Sequence, residues 1–236
     1  MGMRSKWIQG NLVYYDSLFG ERWLDAQGPT VCKFLEEFVN TPFTSANVMS
    51  GYTTTNTNAT LALLATTRPN GELLITLAGA DNDAANIQAL GEAFLLANNK
   101  PCYFGARLRM VTDEITQNEI MVGLCVTDTD VLTAVTDGVY FRKIDGSTAI
   151  NFVIEHTNAE TATIVVPVAV LGTWYTLEWI WDGVAFDSWV NGVLQARPVA
   201  TNRPHDLTLT PTLHVRAGEI AAKTYGVDWI RAIQIN

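Results

Sequence analysis

The segment Trp174-Tyr175-Thr176-Leu177-Glu178-Trp179-Ile180-Trp181 decides the fold class of this chain. Side chains of a β-strand point alternately to its two faces, so every second residue lies on the same side. The residues that share one face here are large and apolar: Tyr175, Leu177, Trp179 and Trp181. Such a face is typical of a strand that packs against a second sheet, and it predicts a buried strand of an antiparallel β-sandwich.

Tight turns follow this segment and recur elsewhere in the chain. Asn-Gly and Asp-Gly pairs tolerate the positive φ that two-residue hairpins demand. They occur at Asn70-Gly71, Asp145-Gly146, Asp182-Gly183 and Asn191-Gly192. We therefore expect hairpins over residues 60–78 and 139–156, and a three-stranded meander over residues 174–197. The closing run Gly226–Ile235 is apolar on both faces, which predicts a central strand.

Helical patterns are sparse, so the predicted fold class is all-β: an antiparallel β-sandwich. Val31–Phe38 is predicted to form two helical turns, and Asp128–Ala134 is predicted to form one. Residues 1–24 show no sustained period and are predicted to form an amino-terminal extended arm. Residues 25–236 are then predicted to form the sandwich domain.

The composition limits the classes of partner. Of the 236 residues, 48% are hydrophobic and 17% are charged, a balance that suits a folded domain with a well-filled core. The net charge of -9 would repel a phosphate backbone, so we expect no nucleic acid as a partner. Since no window approaches the roughly 18 apolar residues of a membrane helix and the first residues are too polar for a signal peptide, we expect neither membrane insertion nor export.

The spacing of cysteines and histidines does not suggest a metal site or a cofactor. The odd number of cysteines and their strand-like surroundings predict free, buried thiols at Cys32, Cys102 and Cys125. The histidines lack the short His-x-His or His-x3-His spacing that seeds many metal sites. They are His156, His205 and His214. We therefore predict no cofactor and no metal ligands.

Three motifs of the second half resemble the carboxy-terminal strands of concanavalin-like lectins and glucanases. They are the 174–183 segment with its Asp-Gly turn, Trp189-Val190-Asn191-Gly192, and Val227-Asp228-Trp229-Ile230. The resemblance covers about residues 60–236. It implies a concanavalin-like jelly roll of the LamG-like kind.

The opening Tyr14-Tyr15-Asp16-Ser17-Leu18-Phe19-Gly20 is similar to the Asp-Asp-Phe-Leu-Gly opening of a group of tailed-bacteriophage structural proteins that carry this jelly roll. Strands like Tyr103–Leu108 and Ile120–Leu124 occur in the same group. Ser17 replaces the second acidic residue of that opening. The resemblance implies a virion component of the capsid decoration type.

The glucanase resemblance raises the question of catalysis. Glucanases of this fold carry Glu-x-Asp-x-x-Glu or Glu-x-Asp-x-Glu on one strand, which places acid and nucleophile on the same face. This sequence has no such run, and its nearest acidic cluster, Asp113, Glu114 and Glu119, is predicted to lie in a solvated loop. We therefore predict no catalytic residues and no enzymatic activity.

The large apolar side chains of the arm need a surface on which to pack. The predicted partner-interface residues are Trp7, Ile8, Leu12, Tyr14 and Tyr15. Exposed in a single chain, they would form the kind of apolar patch that marks an interaction site. We expect the arm to dock on a neighbouring chain. The alternative is that it folds back as an edge strand of its own sandwich.

The tryptophans of the second half divide by their position along the strands. Alternation assigns Trp179 and Trp181 to the core, and Trp229 is assigned there with them. Trp174 and Trp189 have the opposite or an uncertain parity. They are candidates for exposed aromatics that stack on a glycan or pack in an interface.

The leading hypothesis from the sequence is a non-enzymatic bacteriophage virion protein that decorates or cements the head. Its partners would be the major capsid protein or other virion proteins, the chain would form a homo-oligomer, and assembly would take place in the cytoplasm of the bacterial host. The first alternative is a carbohydrate-binding module of a tail or baseplate component, and the second is a degenerate glycoside hydrolase.

Overall fold

Strands dominate the structure because runs of β-branched and aromatic residues alternate with turn residues along the chain. The computed structural model describes residues 2–18, 21–64, 71–112, 114–195 and 197–236. The strands are β1 (Met3–Ile8), β2 (Asn11–Asp16), β3 (Arg22–Gln27), β4 (Val31–Glu36), β5 (Phe43–Ser45), β6 (Val48–Met49), β7 (Tyr52–Thr57), β8 (Ala59–Leu63), β9 (Leu73–Leu77), β10 (Ala84–Ala89), β11 (Phe94–Leu95), β12 (Cys102–Met110), β13 (Asn118–Cys125), β14 (Gly138–Lys143), β15 (Ile150–His156), β16 (Ala159–Val166), β17 (Tyr175–Trp181), β18 (Phe186–Val190), β19 (Val193–Leu194), β20 (Thr208–Ala217) and β21 (Thr224–Ile235). Helix α1 (Val131–Ala134) and a 3-10 turn (Ile115–Gln117) are the described helical elements.

Two antiparallel sheets form the sandwich. The front sheet has the order β16-β15-β14-β13-β20-β10-β7, and β11 pairs with β20. The back sheet has the order β19-β18-β17-β12-β21-β9-β8, and β4 pairs with β21. Their inner faces enclose one large apolar core. The predicted fold class is confirmed, because the fold is a concanavalin-like jelly roll.

The deciding segment lies where its alternation predicts. Its residues Tyr175–Trp181 form β17, between β12 and β18 of the back sheet. The alternate side chains Tyr175, Leu177, Trp179 and Trp181 are all buried in the core between the sheets. The tight turn after β18 uses positive φ at Asn191 (50°) and Gly192 (80°), which explains the Asn-Gly pair there.

The hairpins and the central closing strand are also confirmed. Strand β8 pairs with β9, and β14 pairs with β15. Strand β21 lies between β12 and β9, as its apolar faces predict. Residue 70 of the first predicted turn lies outside the described residues.

The helix predicted over Val31–Phe38 is wrong, because Val31–Glu36 forms strand β4. Its apolar residues recur at a helical spacing, but the backbone pairs with β21, with Val31 opposite Ile235 and Glu36 opposite Ile230. Sheet pairing overrides the local pattern here. The single turn predicted within Asp128–Ala134 corresponds to α1.

The first strands form a sheet of their own, in which β2 lies between β1 and β3. This amino-terminal sheet is two consecutive hairpins rather than an extended arm. Val13, Trp23 and Ala26 are buried against Tyr103, Ile180, Trp189, Ile233 and Ile235 of the outer face of the back sheet. Glu178 of that face accepts a hydrogen bond from Tyr103 (2.8 Å) and lies 3.4 Å from Arg22 of β3. The boundary at residue 24 stays a prediction, although β3 runs across it.

None of the described helices is long and apolar enough to cross a bilayer. Cys102 and Cys125 are fully buried in the back and front sheets, and Cys32 is half-buried. Burial raises the pKa of the Cys102 and Cys125 thiols.

Truncation of two tryptophans of the amino-terminal sheet should have very unequal consequences for stability. Trp23 is 2% exposed, whereas Trp7 is 72% exposed. We expect Trp23→Ala to lower the free energy of unfolding by about 3–5 kcal/mol, because it leaves a cavity against the back sheet. Trp7→Ala should change it by no more than about 0.5 kcal/mol. Urea unfolding of both variants measures this, and equal effects would contradict the packing described here.

Candidate ligand-binding cleft

A cleft of about 250 Å³ opens on the outer face of the front sheet, over β7, β10 and β20. The loop of residues 126–137, which contains α1, covers the neighbouring part of that face. Its apolar side chains Val131, Leu132 and Val135 pack on Met121, Tyr140 and Val153 of the sheet. Thr129 and Asp130 of the same loop form one wall of the cleft.

Strand alternation places the polar residues of the cleft. Ala85, Ile87, Leu213 and Val215 point into the core, so the residues between them face outward. The register sets Asn86 between Thr55 and His214, and Ala84 between Thr57 and Arg216. The floor is therefore a cross-strand array of Thr55, Thr57, Ala84, Asn86, His214 and Arg216.

Hydrogen bonds from the sheet hold the loop in place. The Asn86 side-chain amide donates to the carbonyl of Asp128 (2.7 Å), and that of Gln88 donates to the carbonyl of Val126 (3.1 Å). The backbone N–H of Asp128 donates to Oε1 of Gln88 (2.9 Å). The wall of the cleft is thereby fixed to its floor.

His214 is the least satisfied polar residue of the floor. It is 2% exposed, and neither ring nitrogen has a hydrogen-bond partner among the described residues. Its Nε2 lies 3.9 Å from Oδ1 of Asp130, and Oδ1 of Asn86 also has no hydrogen-bond partner in the described part of the chain. Buried polar groups are normally hydrogen-bonded, so these atoms are suited to a ligand.

Burial lowers the pKa of His214 to about 4, and the nearby Arg216 adds to this while Asp130 opposes it. The imidazole is therefore neutral at pH 7, with one nitrogen that donates and one that accepts. Arg216 donates to Glu119 and lies 3.9 Å from Asp130. The charged groups in and beside the cleft are thus the Arg216 guanidinium and the carboxylates of Glu119 and Asp130.

The acidic cluster of the sequence divides in the structure. Asp113 lies outside the described residues, and Glu114 is exposed before the 3-10 turn. Glu119 does not lie in a solvated loop, because it is 4% exposed near the start of β13 and pairs with Arg216 beside the cleft. Glu119 shares the outer face of β13 with Met121 and Gly123. Because neither of these residues is acidic or otherwise polar, the sequence shows no pattern that would predict a polar site on this face.

The tryptophans proposed for contact lie on the back sheet, away from the cleft. Trp189 is 1% exposed, because the amino-terminal sheet covers it, so it is not an exposed aromatic. Trp174 is half-buried, and the guanidinium groups of Arg107 and Arg109 each lie 4.7 Å from its ring. Trp229 is half-buried on the outer face rather than in the core, and Arg231 stacks on it at 4.8 Å.

A β-bulge explains the error at Trp229. Arg107 pairs with Trp229 but Leu108 pairs with Val227, so Asp228 is an extra residue in β21. An extra residue reverses the alternation beyond it. Trp229 therefore faces away from the core although Val227 faces into it.

Of the five residues predicted to contact a partner, Trp7 alone is largely exposed. Ile8 and Tyr15 pack against the cluster that joins the amino-terminal sheet to the back sheet. Leu12 and Tyr14 are half-buried. The amino-terminal sheet thus uses part of this apolar surface within its own chain.

Comparisons with known proteins identify the fold. No family model matches the chain, and no curated protein sequence matches it. Among solved structures it is similar to a protein of unknown function from Shewanella oneidensis MR-1 (TM-score 0.63, 14% identity, 88% of each chain covered). It is also similar to the endo-1,3-beta-glucanase from Streptomyces sioyaensis (TM-score 0.60, 14% identity, 90% of this chain and 100% of that one). A third similar structure is the Emp47p carbohydrate recognition domain (TM-score 0.59, 10% identity, 86% and 94%).

The prediction that the chain has no enzymatic activity is contradicted, because the similar structures include β-glucanases. The cleft also has two carboxylates beside it, Glu119 and Asp130. At these identities the likeness shows the fold alone, so it assigns no activity.

Acid should destabilise the protein through His214. In the unfolded chain this imidazole titrates near its ordinary value of 6.5, whereas the folded protein keeps it neutral down to about pH 4. Between these values the unfolded state binds a proton that the folded state excludes, so the free energy of unfolding falls as the pH falls. The loss is about 3 kcal/mol over the whole interval.

Urea unfolding of the wild-type protein and of His214→Gln at pH 6.5 and at pH 4 isolates the contribution of His214 to the free energy of unfolding. The variant should lose about 3 kcal/mol less than the wild type. If both lose the same amount, His214 does not titrate as the structure indicates.

Proposed function

We propose that the cleft binds a neutral, hydroxyl-rich ligand, namely a sugar residue of a carbohydrate. The observation that carries this proposal is a set of buried atoms on its floor that have no hydrogen-bond partner among the residues that the structure describes: both ring nitrogens of His214 and Oδ1 of Asn86. Sugar hydroxyls both donate and accept hydrogen bonds, so they can pair with a neutral imidazole and an amide oxygen. Thr55 and Thr57 supply further hydroxyl groups on the floor.

Charge favours a neutral ligand over an anion. Glu119 neutralises Arg216, Asp130 adds a second carboxylate, and His214 is uncharged at pH 7. A phosphate or carboxylate ligand would meet net negative charge in a partly buried site. A neutral sugar meets no such penalty.

The size of the cleft supports a small ligand. Sites for drug-sized molecules occupy roughly 300–1,000 Å³, and this cleft occupies about 250 Å³. A single sugar residue, or the end of a longer chain, is therefore the expected occupant. The likeness to the Emp47p carbohydrate recognition domain is consistent with this class of ligand.

A glycan array identifies the ligand, and calorimetry with variants of one strand tests the site. Thr55 and Thr53 lie on the same outer face of β7, but only Thr55 lines the cleft. Replacement by valine keeps the shape and removes the hydroxyl. Thr55→Val should raise Kd roughly fivefold, for a loss of about 1 kcal/mol, and Thr53→Val should leave Kd unchanged.

Asn86→Ala should weaken binding further, because it also removes the bond that holds the loop. The proposal is contradicted if the wild type binds no glycan on the array. It is also contradicted if Thr53→Val and Thr55→Val change Kd equally.

A second candidate function is decoration of a tailed-bacteriophage head, which rests on the resemblance at residues 14–20. The surface of β1 favours it. Met3 and Trp7 of this strand are 68% and 72% exposed, and β1 is an edge strand of the amino-terminal sheet. Exposed apolar side chains on an edge strand suit contact with another chain.

Incorporation into particles tests this second candidate. Trp7→Ala should abolish incorporation while it leaves stability nearly unchanged, because Trp7 makes little contact within its own chain. Ile220→Ala is a matched control, since Ile220 is 85% exposed outside the amino-terminal sheet. Normal decoration by Trp7→Ala, or loss of decoration by Ile220→Ala as well, would contradict a specific role for β1.

A further inference from the structure

The structure brings together two histidines that are far apart in the sequence. His156 ends β15, and His205 lies in the loop that precedes β20. The centroids of their rings are 5.1 Å apart, and Asp206 lies beside both rings. One potential ligand atom from each of these three residues lies within 4.8 Å of the others, and no other such group of three occurs in the described part of the chain.

Hydrogen bonds fix both imidazoles in the form that binds metals. Nδ1 of His156 lies 2.6 Å from Oδ1 of Asp137, and Nδ1 of His205 lies 3.1 Å from the carbonyl oxygen of Arg203. Both partners are acceptors, so each Nδ1 carries the proton when the ring is neutral. The Nε2 lone pair of each ring is then available to a metal ion. Oδ1 of Asp206 lies 3.9 Å from Nδ1 of His156, so this exposed carboxylate has to turn toward Nε2 to complete the set of ligands.

Asp137 is placed to orient His156. It is 3% exposed, and the same Oδ1 also accepts a hydrogen bond from the backbone N–H of Thr157 (3.0 Å). The carboxylate is thereby tied to the β15–β16 turn, where Thr157 and Asn158 have positive φ. A buried carboxylate behind a histidine is the usual support of a metal-binding imidazole.

The loop that carries the other two residues is also held in place. The side-chain amide of Asn202 donates to Oγ1 of Thr161 in β16 (3.1 Å). The guanidinium of Arg203 lies 4.3 Å from the ring of Trp181, and Pro204 is buried. The backbone on both sides of the cluster is therefore anchored to the sandwich.

We propose that His156, His205 and Asp206 bind one divalent transition-metal ion, with Asp137 as the positioning residue. Two neutral imidazoles and one carboxylate suit Zn²⁺, and a fourth position would stay open to water or a further ligand. The sequence-based prediction of no metal ligands rested on the lack of a short histidine spacing, which this arrangement does not need. The site is separate from the cleft and independent of the sugar-binding proposal.

Calorimetric titration of the chelator-treated full chain with Zn²⁺ tests the proposal. The wild type should bind one Zn²⁺ per chain, and His205→Ala and Asp206→Asn should each weaken binding at least tenfold. His214→Gln and Asp81→Asn are the matched controls, since they remove a histidine and an exposed aspartate elsewhere, and they should bind as the wild type does.

The positioning role of Asp137 has its own readout. Asp137→Asn should weaken Zn²⁺ binding by roughly 10- to 100-fold with all three ligands intact, and it should change the visible spectrum of the bound Co²⁺ form. Circular dichroism checks that each variant folds. Should Asp137→Asn not fold, His205→Ala and Asp206→Asn, which alter exposed side chains, still decide the proposal.

Two results would overturn the site: a wild-type chain that binds no Zn²⁺, or binding that His205→Ala and Asp206→Asn leave unchanged. Unchanged affinity and spectrum in a folded Asp137→Asn variant would overturn the positioning role.

Discussion

The aromatic packing between the two sheets is the constraint on which the rest of the structure depends. The ring of Trp179 lies 5.9 Å from that of Phe104 and 5.7 Å from that of Phe186, and Phe186 also contacts Phe152 of the front sheet at 6.0 Å. Such contacts bury large apolar areas and fix the sheets relative to each other. Because these inner faces are committed to the core, polar groups with a binding role can lie only on the outer faces and at the strand ends.

The two outer faces are covered in different ways, and this determines where a cleft can form. The amino-terminal sheet packs over the back sheet and takes Trp189 out of solvent. On the front sheet, the loop that contains α1 covers the outer face of β13–β15, is hydrogen-bonded to Asn86 and Gln88 of β10, and leaves the cleft over β7, β10 and β20 open. The uncovered part of the front sheet thus forms the polar floor of the cleft, and the neighbouring loop forms one of its walls.

The sequence predicts the strands well because their information is local. The alternation of Tyr175–Trp181 and the Asn191-Gly192 turn each lie within a few residues, and both are confirmed. Long-range effects account for the errors. Pairing with β21 makes a strand of Val31–Glu36, and an extra residue in β21 turns Trp229 outward.

The candidate sites were harder to predict for the same reason. His214 and Asn86 become neighbours only through the β10–β20 register, and His156 meets His205 only because a loop returns to the β15–β16 turn. The spacing of these residues in the sequence predicts neither pair of neighbours. The sequence alone predicts a solvated loop at Glu119, because its pairing with Arg216 depends on a strand that lies almost a hundred residues later, as the register of β13 with β20 shows.

The bonds from Asn86 and Gln88 to the 126–137 loop mean that the cleft is preorganised. A ligand does not have to order this wall, so association should involve little loss of backbone entropy and little change of shape. The same rigidity limits what can enter, since a bulkier molecule would have to break these partly buried hydrogen bonds to widen the cleft. Selectivity would then come from shape and from the exclusion of poor fits, and substitutions at the exposed tip, Thr129, could alter it without disturbing the aromatic core.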